Sequence, residues 1–490
     1  MSNLPTGTVT FLFTDVEGST KLWEAYPHAM KSALQRHDDL LREVIEARQG
    51  YVFKTVGDAF CAAFATATDA LHAALNVQVS LQQETWGETG PLKVRMALHT
   101  GEAQERDGDY FGPALSRVAR LQSTGGGGQT LLSDVTHDLC RDALPPEAVL
   151  QDLGQHRLKD LGRPEQVFQL CHPSLPADFP PLNSLDNPAL PNNLPQQVTS
   201  FIGREKEMAE IAALLGNTRL LTLTGSGGSG KTRLSLQVAA DLLDGTGDGV
   251  WLVELAPLSD PALVPQAVAA VLGVKEETGK TLTQTLTAYL KGRRLLLVLD
   301  NCEHVLDACA RLADSIIRAC PQVQILASSR EGLGIAGEQT YRVPSLSLPS
   351  SSLAATPESL SQYEAVSLFV ARALAHQPAF AVTNANAPAL ASACLRLDGI
   401  PLAIELAAAR VRSLSVEEIN SRLDNRFRLL TGGSKTALPR QQTLRALIDW
   451  SYDLLTDQEK TLLRRLSVFA GGWTLAAAES VCSDNDDVEK

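Results

Sequence analysis

Near the start of the chain, two runs of mostly apolar residues each lead into an acidic residue. The first run, Val9 to Phe13, leads to Asp15, and the second, Tyr51 to Val56, enters a tight turn that contains Asp58. Runs of this length bounded by turn residues are typical of strands, and the stretch Ala59 to Phe64 has the position of a hairpin partner. If the first strand pairs beside this hairpin, the two carboxylates meet at one end of one sheet.

Two carboxylates at one end of a sheet are the minimum set of ligands for a pair of hard divalent cations facing a triphosphate. The same residues also fit a simpler interpretation, in which Asp15 begins a helix and Asp58 is an ordinary turn residue. The two positions alone leave both interpretations open.

Further segments between Thr8 and Leu170 extend this pattern, and together they resemble the class III nucleotidyl cyclases. The matching segments are Thr14 to Thr20 (TDVEGST), Lys54 to Asp58 (KTVGD), His99 to Gly101 (HTG) and Gly108 to Gly112 (GDYFG), followed by Ser116 and Arg120. The resemblance implies a ferredoxin-like α+β cyclase domain, which would be an adenylyl cyclase that converts ATP to 3′,5′-cyclic AMP and pyrophosphate.

The resemblance also implies roles for individual residues. Asp15 and Asp58 would bind two ions of Mg²⁺ or Mn²⁺. Lys54 and Asp109 would contact the purine edge, and Arg120 would neutralise the charge that builds on the phosphates in the transition state. A lysine donor and an aspartate acceptor complement adenine, whose edge offers a ring-nitrogen acceptor and an amino donor, whereas guanine has the opposite pattern. These residues therefore favour ATP over GTP.

Ser116 departs from the family pattern, which has an asparagine four residues before the position of Arg120. That asparagine orients the ribose, whereas a serine hydroxyl is shorter and offers one donor in place of two. Loss of one such contact typically costs on the order of 3 kcal/mol, or roughly a hundredfold in rate. We therefore expect a slow cyclase, with Ser116 taking part in the catalytic set.

In this family the two carboxylates and the Lys/Asp/Arg set of one site come from different subunits. The resemblance therefore implies a head-to-tail homodimer through the cyclase domain, with two equivalent sites at its interface. A higher oligomer through the ATPase part of the chain is a further expectation.

The composition sets bounds on the whole chain. At 490 residues it is too long for one core, and roughly two to four domains are expected. A formal net charge of −13 argues against a dominant nucleic-acid-binding face, which would be basic. The eight cysteines form no pair or cluster with metal-binding spacing, which is typical of a reducing compartment. With no signal-peptide pattern and no apolar run longer than a strand, we predict a cytoplasmic protein that does not span a membrane.

The stretch from His172 to Gln197 contains seven prolines and almost no periodicity, which predicts a semi-extended linker outside any core. It divides an α/β multidomain chain into parts with the following expected limits. They are a class III cyclase domain at 1–171, the Pro-rich linker at 172–198, a P-loop α/β nucleotide-binding domain at 199–348, a helical domain at 349–436 and a winged-helix-like end at 437–490.

A complete phosphate-binding motif, Gly225 to Thr232 (GSGGSGKT), follows the apolar strand Leu220 to Thr224. Its glycines allow backbone N–H groups to surround phosphates at a helix N-terminus, while Lys231 reaches the terminal phosphates and the Thr232 hydroxyl ligates Mg²⁺. A chance Gly-rich turn is the much weaker alternative. This motif predicts a second ATP site.

Downstream segments resemble the STAND signalling ATPases of the NB-ARC type, over about Thr199 to Trp473. The apolar strand that ends at Asp300 would supply the magnesium-side acid, and Arg330 after a third strand would sense the γ-phosphate. The resemblance places Arg204 and Pro401 near the adenine. The residues assigned to this site are Arg204, Gly225, Gly228, Gly230, Lys231, Thr232, Asp300, Arg330 and Pro401.

Asn301 stands where many ATPases have a second acid, and Glu303 follows two positions later. Without a well-placed general base, hydrolysis should be slow, which suits a switch better than a motor.

The segment Gln441 to Glu479 has helical periodicity and looks like the winged-helix segment that closes a STAND nucleotide pocket. A DNA-reading helix-turn-helix is the disfavoured alternative, since Arg464 and Arg465 are its one adjacent basic pair. The chain stops before the repeat array or transcription-factor module that such relatives usually carry. Whether the native protein is short or continues is left open, and nucleic acid binding is expected only through such a missing C-terminal region.

Three functions compete at this stage. The favoured one is an adenylyl cyclase regulated by a STAND ATPase switch. The alternative is an ATP-dependent signalling or transcriptional regulator whose cyclase-like domain has little or no activity, which Ser116 would mark. A guanylyl cyclase is disfavoured by Lys54 and Asp109.

Overall fold

The structure is a computed structural model that describes residues 4–106, 108–159, 163–187, 190–197, 199–350, 356–423, 430, 444–453, 455–469 and 473–482. Contacts divide the chain into two compact units, one made of residues 1–201 with 240–250 and the other of residues 202–239 with 251–490. Among the described residues, no helix has the length and apolar character needed to cross a membrane.

The first unit contains a mixed sheet flanked by helices. Its elements are β1 (Gly7–Val16), α1 (Ser19–Ala25), α2 (Pro27–Ala47), β2 (Tyr51–Val56), β3 (Ala59–Phe64), α3 (Ala67–Gln83), β4 (Val94–Arg106), β5 (Asp109–Phe111), α4 (Pro113–Thr124), β6 (Thr130–Ser133), α5 (Asp134–Cys140), β7 (Val149–His156) and β8 (Glu165–Cys171). The strand order is β2-β3-β1-β4-β6-β8-β7, and β5 pairs with β4 outside this path.

The predicted hairpin and its neighbour are confirmed. Strands β2 and β3 pair antiparallel around the turn that contains Asp58, and β1 lies antiparallel to β3 with Phe13 opposite Cys61. Strand β1 also pairs with β4 over its full length, so it is the central strand that carries Asp15.

Side chains of β1 alternate between two apolar layers, as expected for a buried strand. Leu12 and Val16 belong to the layer that includes residues of α2 and α3. Val9 and Phe11 belong to the other layer, together with residues of α4 such as Val118. By this alternation Asp15 lies on the same side of the sheet as Phe11, which is the side that carries α4.

The predicted linker is wrong in one respect, because part of it packs into the core of the first unit. Leu182 is buried in the same apolar cluster as Leu121 of α4. Ser184 is fully buried, and its Oγ is hydrogen-bonded to Nδ1 of His156 at 2.9 Å. The proline pattern excludes helix and sheet, but it does not prevent single apolar side chains from entering a neighbouring core.

The second unit contains a five-stranded sheet of order β10-β11-β12-β9-β13. Its elements are α6 (Glu205–Asn217), β9 (Leu220–Thr224), α7 (Lys231–Asp241), β10 (Val250–Glu254), α8 (Val264–Leu272), α9 (Leu282–Leu290), β11 (Leu296–Asp300), α10 (Leu306–Ala319), β12 (Gln324–Ser328) and β13 (Glu338–Arg342). The pairs β11–β12, β12–β9 and β9–β13 are parallel, so β9 and β11 end at the same edge of the sheet.

Helices follow the sheet. The first group forms one apolar cluster and comprises α11 (Pro357–Leu360), α12 (Glu364–His376), α13 (Ala387–Arg396), α14 (Pro401–Ala408) and α15 (Val416–Arg422). Three more helices are α16 (Leu444–Asp453), α17 (Asp457–Leu466) and α18 (Leu475–Cys482). The predicted limit at 436/437 lies outside the described residues, and so does the start of the segment from Gln441. No strand follows β13 in the described part of the chain, and the winged-helix assignment stays a prediction.

Candidate functional sites

The two acidic residues predicted to converge do lie together. Asp15 is the penultimate residue of β1, and Asp58 is in the turn of the neighbouring hairpin. The Oδ2 atom of Asp58 accepts the backbone N–H of Val16 at 2.9 Å, which fixes the turn against the end of β1. The carboxylates are thus adjacent, and their role as metal ligands stays a prediction.

Arg95 is the residue of this site that the sequence analysis missed. It lies on β4 directly opposite Asp15, and its guanidinium binds that carboxylate in a bidentate manner, Nε to Oδ1 at 2.7 Å and Nη2 to Oδ2 at 2.5 Å. Both side chains are about a quarter exposed, 25% for Arg95 and 26% for Asp15. The pairing with Asp15, followed by the nearby charges of Glu17 and Asp58, raises the pKa of Arg95 despite its partial burial. A register alignment of β1 with β4 would have found it.

Glu17 extends the acidic surface, and its position requires a glycine in the neighbouring loop. Its Oε1 accepts the backbone N–H of Gly127 at 3.1 Å. A Cβ added to Gly127 would lie 2.6 Å from Cβ of Lys93 and 2.7 Å from Oε2 of Glu17, so a side chain cannot fit there. The run of glycines from 125 to 128 therefore lets the loop before β6 approach the end of β1.

The residues predicted to contact the base also meet. Lys54 Nζ donates to Oδ2 of Asp109 at 3.3 Å, and the lysine side chain is 53% exposed. Below them Phe53 packs against Tyr110 with ring centroids 5.0 Å apart, which holds β2 beside β5. A shift in register between Val52 and Lys54 interrupts the pairing of β2 with β3 at this point. The pair presents one cation and one anion side by side.

Ser116 and Arg120 lie one turn apart on α4, as predicted. Val118 and Leu121 of this helix are fully buried and fix it on the sheet. Arg117 Nη1 lies 3.5 Å from Oε2 of Glu165 at the start of β8. Burial raises the pKa of Glu165, and the neighbouring Arg117 opposes that shift. The helix is therefore held by both apolar packing and an ion pair.

The His99–Gly101 motif lies inside the first unit, where its residues take part in packing. His99 is 4% exposed, and its Nδ1 is hydrogen-bonded to Ser133 Oγ at 2.7 Å. Burial lowers the pKa of His99 to about 4, and the charge of Arg117 adds to the effect. A Cβ on Gly101 would lie 3.1 Å from Cβ of Ala114, so this glycine allows α4 to approach β4 closely.

In the second unit the phosphate-binding loop joins β9 to α7. Gly225, Gly228 and Gly230 all have positive φ, of 149°, 77° and 89°, which favours glycine. Lys231 Nζ donates to the carbonyl oxygens of Gly225 and Ser226 at 2.8 and 3.1 Å. The loop borders a cleft of about 610 Å³ lined by Thr224, Gly225, Ser226, Ser229, Arg330, Arg342, Val343, Pro344 and Ser345.

Asp300 lies at the end of β11 beside this loop and is 3% exposed. Its Oδ1 accepts hydrogen bonds from the hydroxyls of Thr232 at 2.8 Å and Ser328 at 2.5 Å. Burial raises the pKa of Asp300, hydrogen bonds oppose the shift, and the charge of Glu303 adds to it. The threonine and the acid predicted to share Mg²⁺ thus contact each other.

Arg204 and Pro401 lie against the phosphate-binding loop. Arg204 is 3% exposed, and its Nη2 donates to the carbonyl oxygens of Ser229 and Pro344, both at 2.9 Å. Burial lowers the pKa of Arg204. Pro401 Cγ would lie 3.7 Å from a Cβ on Gly230. A role at the adenine stays a prediction for both residues, and the described contacts of Arg204 Nη2 are with backbone.

Comparison with known protein families identifies two regions of the chain. Residues 1–171 match the sequence model of the family described as "Adenylate and Guanylate cyclase catalytic domain". Residues 215–333 match a family described as "AAA domain". The chain therefore contains a class III cyclase catalytic domain followed by an AAA-type P-loop domain.

Several mycobacterial proteins are similar over longer stretches. The uncharacterized protein Rv0894 of Mycobacterium tuberculosis is 40% identical over 324 residues, which is 66% of this chain and 79% of the relative. The chain belongs to the same family as this protein. The protein Rv0890c of the same species, which is named as an HTH-type transcriptional regulator, is 49% identical over 274 residues, or 56% of this chain. The chain spans 29% of the length of that relative.

Part of this chain is also similar to solved structures of cyclases. Adenylate cyclases of Trypanosoma brucei in their monomeric state show 26% identity and a TM-score of 0.33, with 37% of this chain and 97% of that chain covered. The adenylyl cyclase CyaB of P. aeruginosa shows 24% identity and a TM-score of 0.31, with 34% of this chain and 94% of that chain covered.

Proposed function

We propose that this protein is an adenylyl cyclase, a phosphorus–oxygen lyase that converts ATP to cyclic AMP and pyrophosphate, under the control of an ATP-binding switch. The observation that supports it most is the pair of adjacent carboxylates, Asp15 and Asp58, within the stretch that matches the cyclase family. The pairing of Lys54 with Asp109, which complements adenine, supports ATP over GTP.

The donor set fits a pair of divalent cations such as Mg²⁺ or Mn²⁺. Asp15 and Asp58 offer hard carboxylate oxygens at a partly exposed strand end, and Glu17 adds negative charge nearby. When bound, the cations would make the 3′-hydroxyl of the ribose a better nucleophile and stabilise the leaving pyrophosphate. Arg95 compensates the charge of Asp15 through its ion pair with that carboxylate.

The remaining residues have roles in positioning. Lys54 and Asp109 would orient the purine, Ser116 the ribose, and Arg120 the phosphates in the transition state. In a head-to-tail homodimer, α4 and the base-contacting pair of one subunit would face the acids of the other. The strand order β2-β3-β1-β4, with α2 and α3 as crossovers, supports a ferredoxin-like assignment for this domain.

We also propose that the P-loop domain binds ATP as a STAND-type switch. Lys231, Thr232 and Asp300 would hold the phosphates and Mg²⁺, and Arg330 at the edge of the cleft would contact the γ-phosphate. Leu402 N–H donates to the carbonyl oxygen of Gly228 at 3.3 Å, so the start of α14 contacts the loop that ATP would occupy. A ligand on the loop can therefore shift this helix.

The test is cyclic AMP formation by the purified chain with ATP and Mg²⁺ or Mn²⁺. Asp58→Asn keeps the shape of the turn but removes the charge of a metal ligand, so cyclic AMP formation should fall steeply. Lys231→Ala, the comparison variant in the other nucleotide site, should change the cyclase rate by less and should weaken ATP binding to the P-loop domain. Undiminished cyclic AMP formation by Asp58→Asn would refute the assignment.

The second candidate function is an ATP-dependent signalling or transcriptional regulator with a weak or inactive cyclase domain. Ser116 at the position of the ribose-orienting asparagine favours it, as does the name of the relative Rv0890c. No cyclic AMP from the wild-type chain, together with ATP binding that depends on Lys231, would support this function over the first.

A further inference from the structure

The loop after β11 carries a carboxylate, that of Glu303, which has no role in the ATP site proposed above. Asn301 follows Asp300 and has a positive φ of 62°, which turns the chain sharply. Its Nδ2 donates to Oδ2 of Asp300 at 2.6 Å, so the amide is engaged with that acid. The turn then continues through the short 3₁₀ segment Cys302–His304, which carries Glu303.

Glu303 is buried and incompletely paired. Its side chain is only 7% exposed, and its Oε1 lies 3.8 Å from Nε of Arg330. No hydrogen-bond donor among the described residues reaches its other oxygen, Oε2, which is buried. A buried carboxylate oxygen without a partner costs free energy, so such an oxygen is expected to accept a hydrogen bond from a water molecule or a ligand.

Two observations place Glu303 at the P-loop site. Its charge adds to the effect of burial in raising the pKa of Asp300, the acid whose Oδ1 also accepts a hydrogen bond from the hydroxyl of Thr232. Its ion-pair partner Arg330 lines the same cleft as Gly225 and Ser229 of the phosphate-binding loop. Glu303 therefore lies behind Arg330, whose side chain lines the cleft, and three residues after Asp300.

We infer that Glu303 is the general base for ATP hydrolysis at the P-loop, in place of the acid that Asn301 replaces. The inference rests on the proposed ATP binding at that loop. Oε2 of Glu303 would accept a proton from a water molecule while the oxygen of that water forms a bond to the γ-phosphorus. The bond from that phosphorus to the bridging oxygen breaks, ADP leaves with the electron pair, and the proton passes from Glu303 to solvent after the phosphate departs.

A competing role for Glu303 is to hold Arg330 in place without taking a proton. Substitution by glutamine separates the two roles. Its side chain has the same shape and keeps a carbonyl oxygen that accepts from Arg330, but it cannot act as a base. If Glu303 only holds Arg330, glutamine should preserve much of the hydrolysis, and alanine should weaken both hydrolysis and ATP binding.

The experiment measures phosphate release and ATP binding with the full chain. Phosphate release reports the P-loop reaction alone, because cyclisation releases pyrophosphate. Glu303→Gln should reduce single-turnover phosphate release by about a hundredfold or more, which is the usual contribution of a general base. Binding of a fluorescent ATP analogue should stay within about threefold, since this base acts in the transition state.

Glu331→Gln is the matched control, because Glu331 is the exposed neighbour of Arg330 and should leave both readouts unchanged. Phosphate release by Glu303→Gln at the wild-type rate would overturn the inference, and so would equal losses of binding and hydrolysis. ATP binding that depends on Lys231 without any phosphate release from wild type would also overturn it, but would leave the proposed switch intact. No binding that depends on Lys231 would refute the proposed ATP site itself.

Discussion

Substitution of Arg95 by glutamine should strengthen binding of a divalent cation to the cyclase domain in the absence of nucleotide. Arg95 holds both oxygens of Asp15, at 2.7 and 2.5 Å, and a cation that uses this carboxylate must displace it. Removal of the guanidinium frees Asp15 and also removes a positive charge beside Asp58 and Glu17. Glutamine retains part of the side chain that packs along β4.

The size of the effect follows from the geometry of the ion pair. Exposed pairs contribute about 0.2–1 kcal/mol, and hydrogen bonds to charged groups about 1.5–3 kcal/mol. Because Arg95 and Asp15 are 25% and 26% exposed, the pair belongs between these limits, at about 1–2 kcal/mol. The dissociation constant for Mn²⁺ should therefore fall by about five- to thirtyfold, since 1.4 kcal/mol corresponds to about a factor of ten.

Mn²⁺ binding to the full chain can be measured by electron paramagnetic resonance without nucleotide. Sites that disappear in Asp58→Asn are those at the strand end, which separates them from weak sites elsewhere. Lys93→Gln is the control, because Lys93 is exposed and close to Glu17 but is not the residue that pairs with Asp15. It should change the affinity by about twofold or less through general screening of charge.

Two results would refute this reasoning. An unchanged or weaker Mn²⁺ affinity in Arg95→Gln would mean that the cation does not use the Asp15 oxygens that Arg95 occupies. An equal gain in Lys93→Gln would mean that general electrostatics, and not displacement of the ion pair, controls the affinity.

Two further predictions concern the first unit. Ser116→Asn should raise the rate of cyclic AMP formation with little change in apparent ATP affinity, because an added amide contact to the ribose acts mainly in the transition state, and an unchanged or lower rate in a steady-state assay would contradict it. His99→Gln should reduce the loss of stability on acidification: burial lowers the pKa of His99 from 6.5 to about 4, so its contribution is complete above about pH 6.5 and is lost as the pH falls towards 4. Urea unfolding of both chains at pH 7 and pH 5 measures this difference, and equal losses would exclude His99 as a source of acid sensitivity.

Local sequence patterns predicted much of the fold because the interactions that define these elements are short in sequence. The hairpin β2–β3 and the loop from Gly225 to Thr232 are each contained in fewer than about fifteen consecutive residues, so turn chemistry and apolar periodicity suffice to locate them. The positions of Asp15 and Asp300 at strand ends follow from the same patterns.

The roles of residues whose partners are distant in sequence could not be predicted from local patterns. Arg95 lies 80 positions from Asp15, and its role depends on the register between β1 and β4, which periodicity does not specify. Arg204 lies 140 positions from Pro344, and a sequence motif does not reveal that its side chain donates to backbone oxygens. Leu182 resembles any apolar residue of a Pro-rich stretch until a neighbouring core is known.

In both proposed nucleotide sites, the acids predicted at strand ends already have partners within the chain. Asp15 is paired with Arg95, and Asp300 accepts hydrogen bonds from Thr232 and Ser328. A cation that binds either acid must therefore exchange one set of contacts for another, so the net gain is smaller than the new bonds alone would provide. Glu303 is the exception, because its Oε2 has no partner among the described residues that would have to be released. A water molecule that reached Oε2 when ATP binds would therefore displace no hydrogen bond of that oxygen.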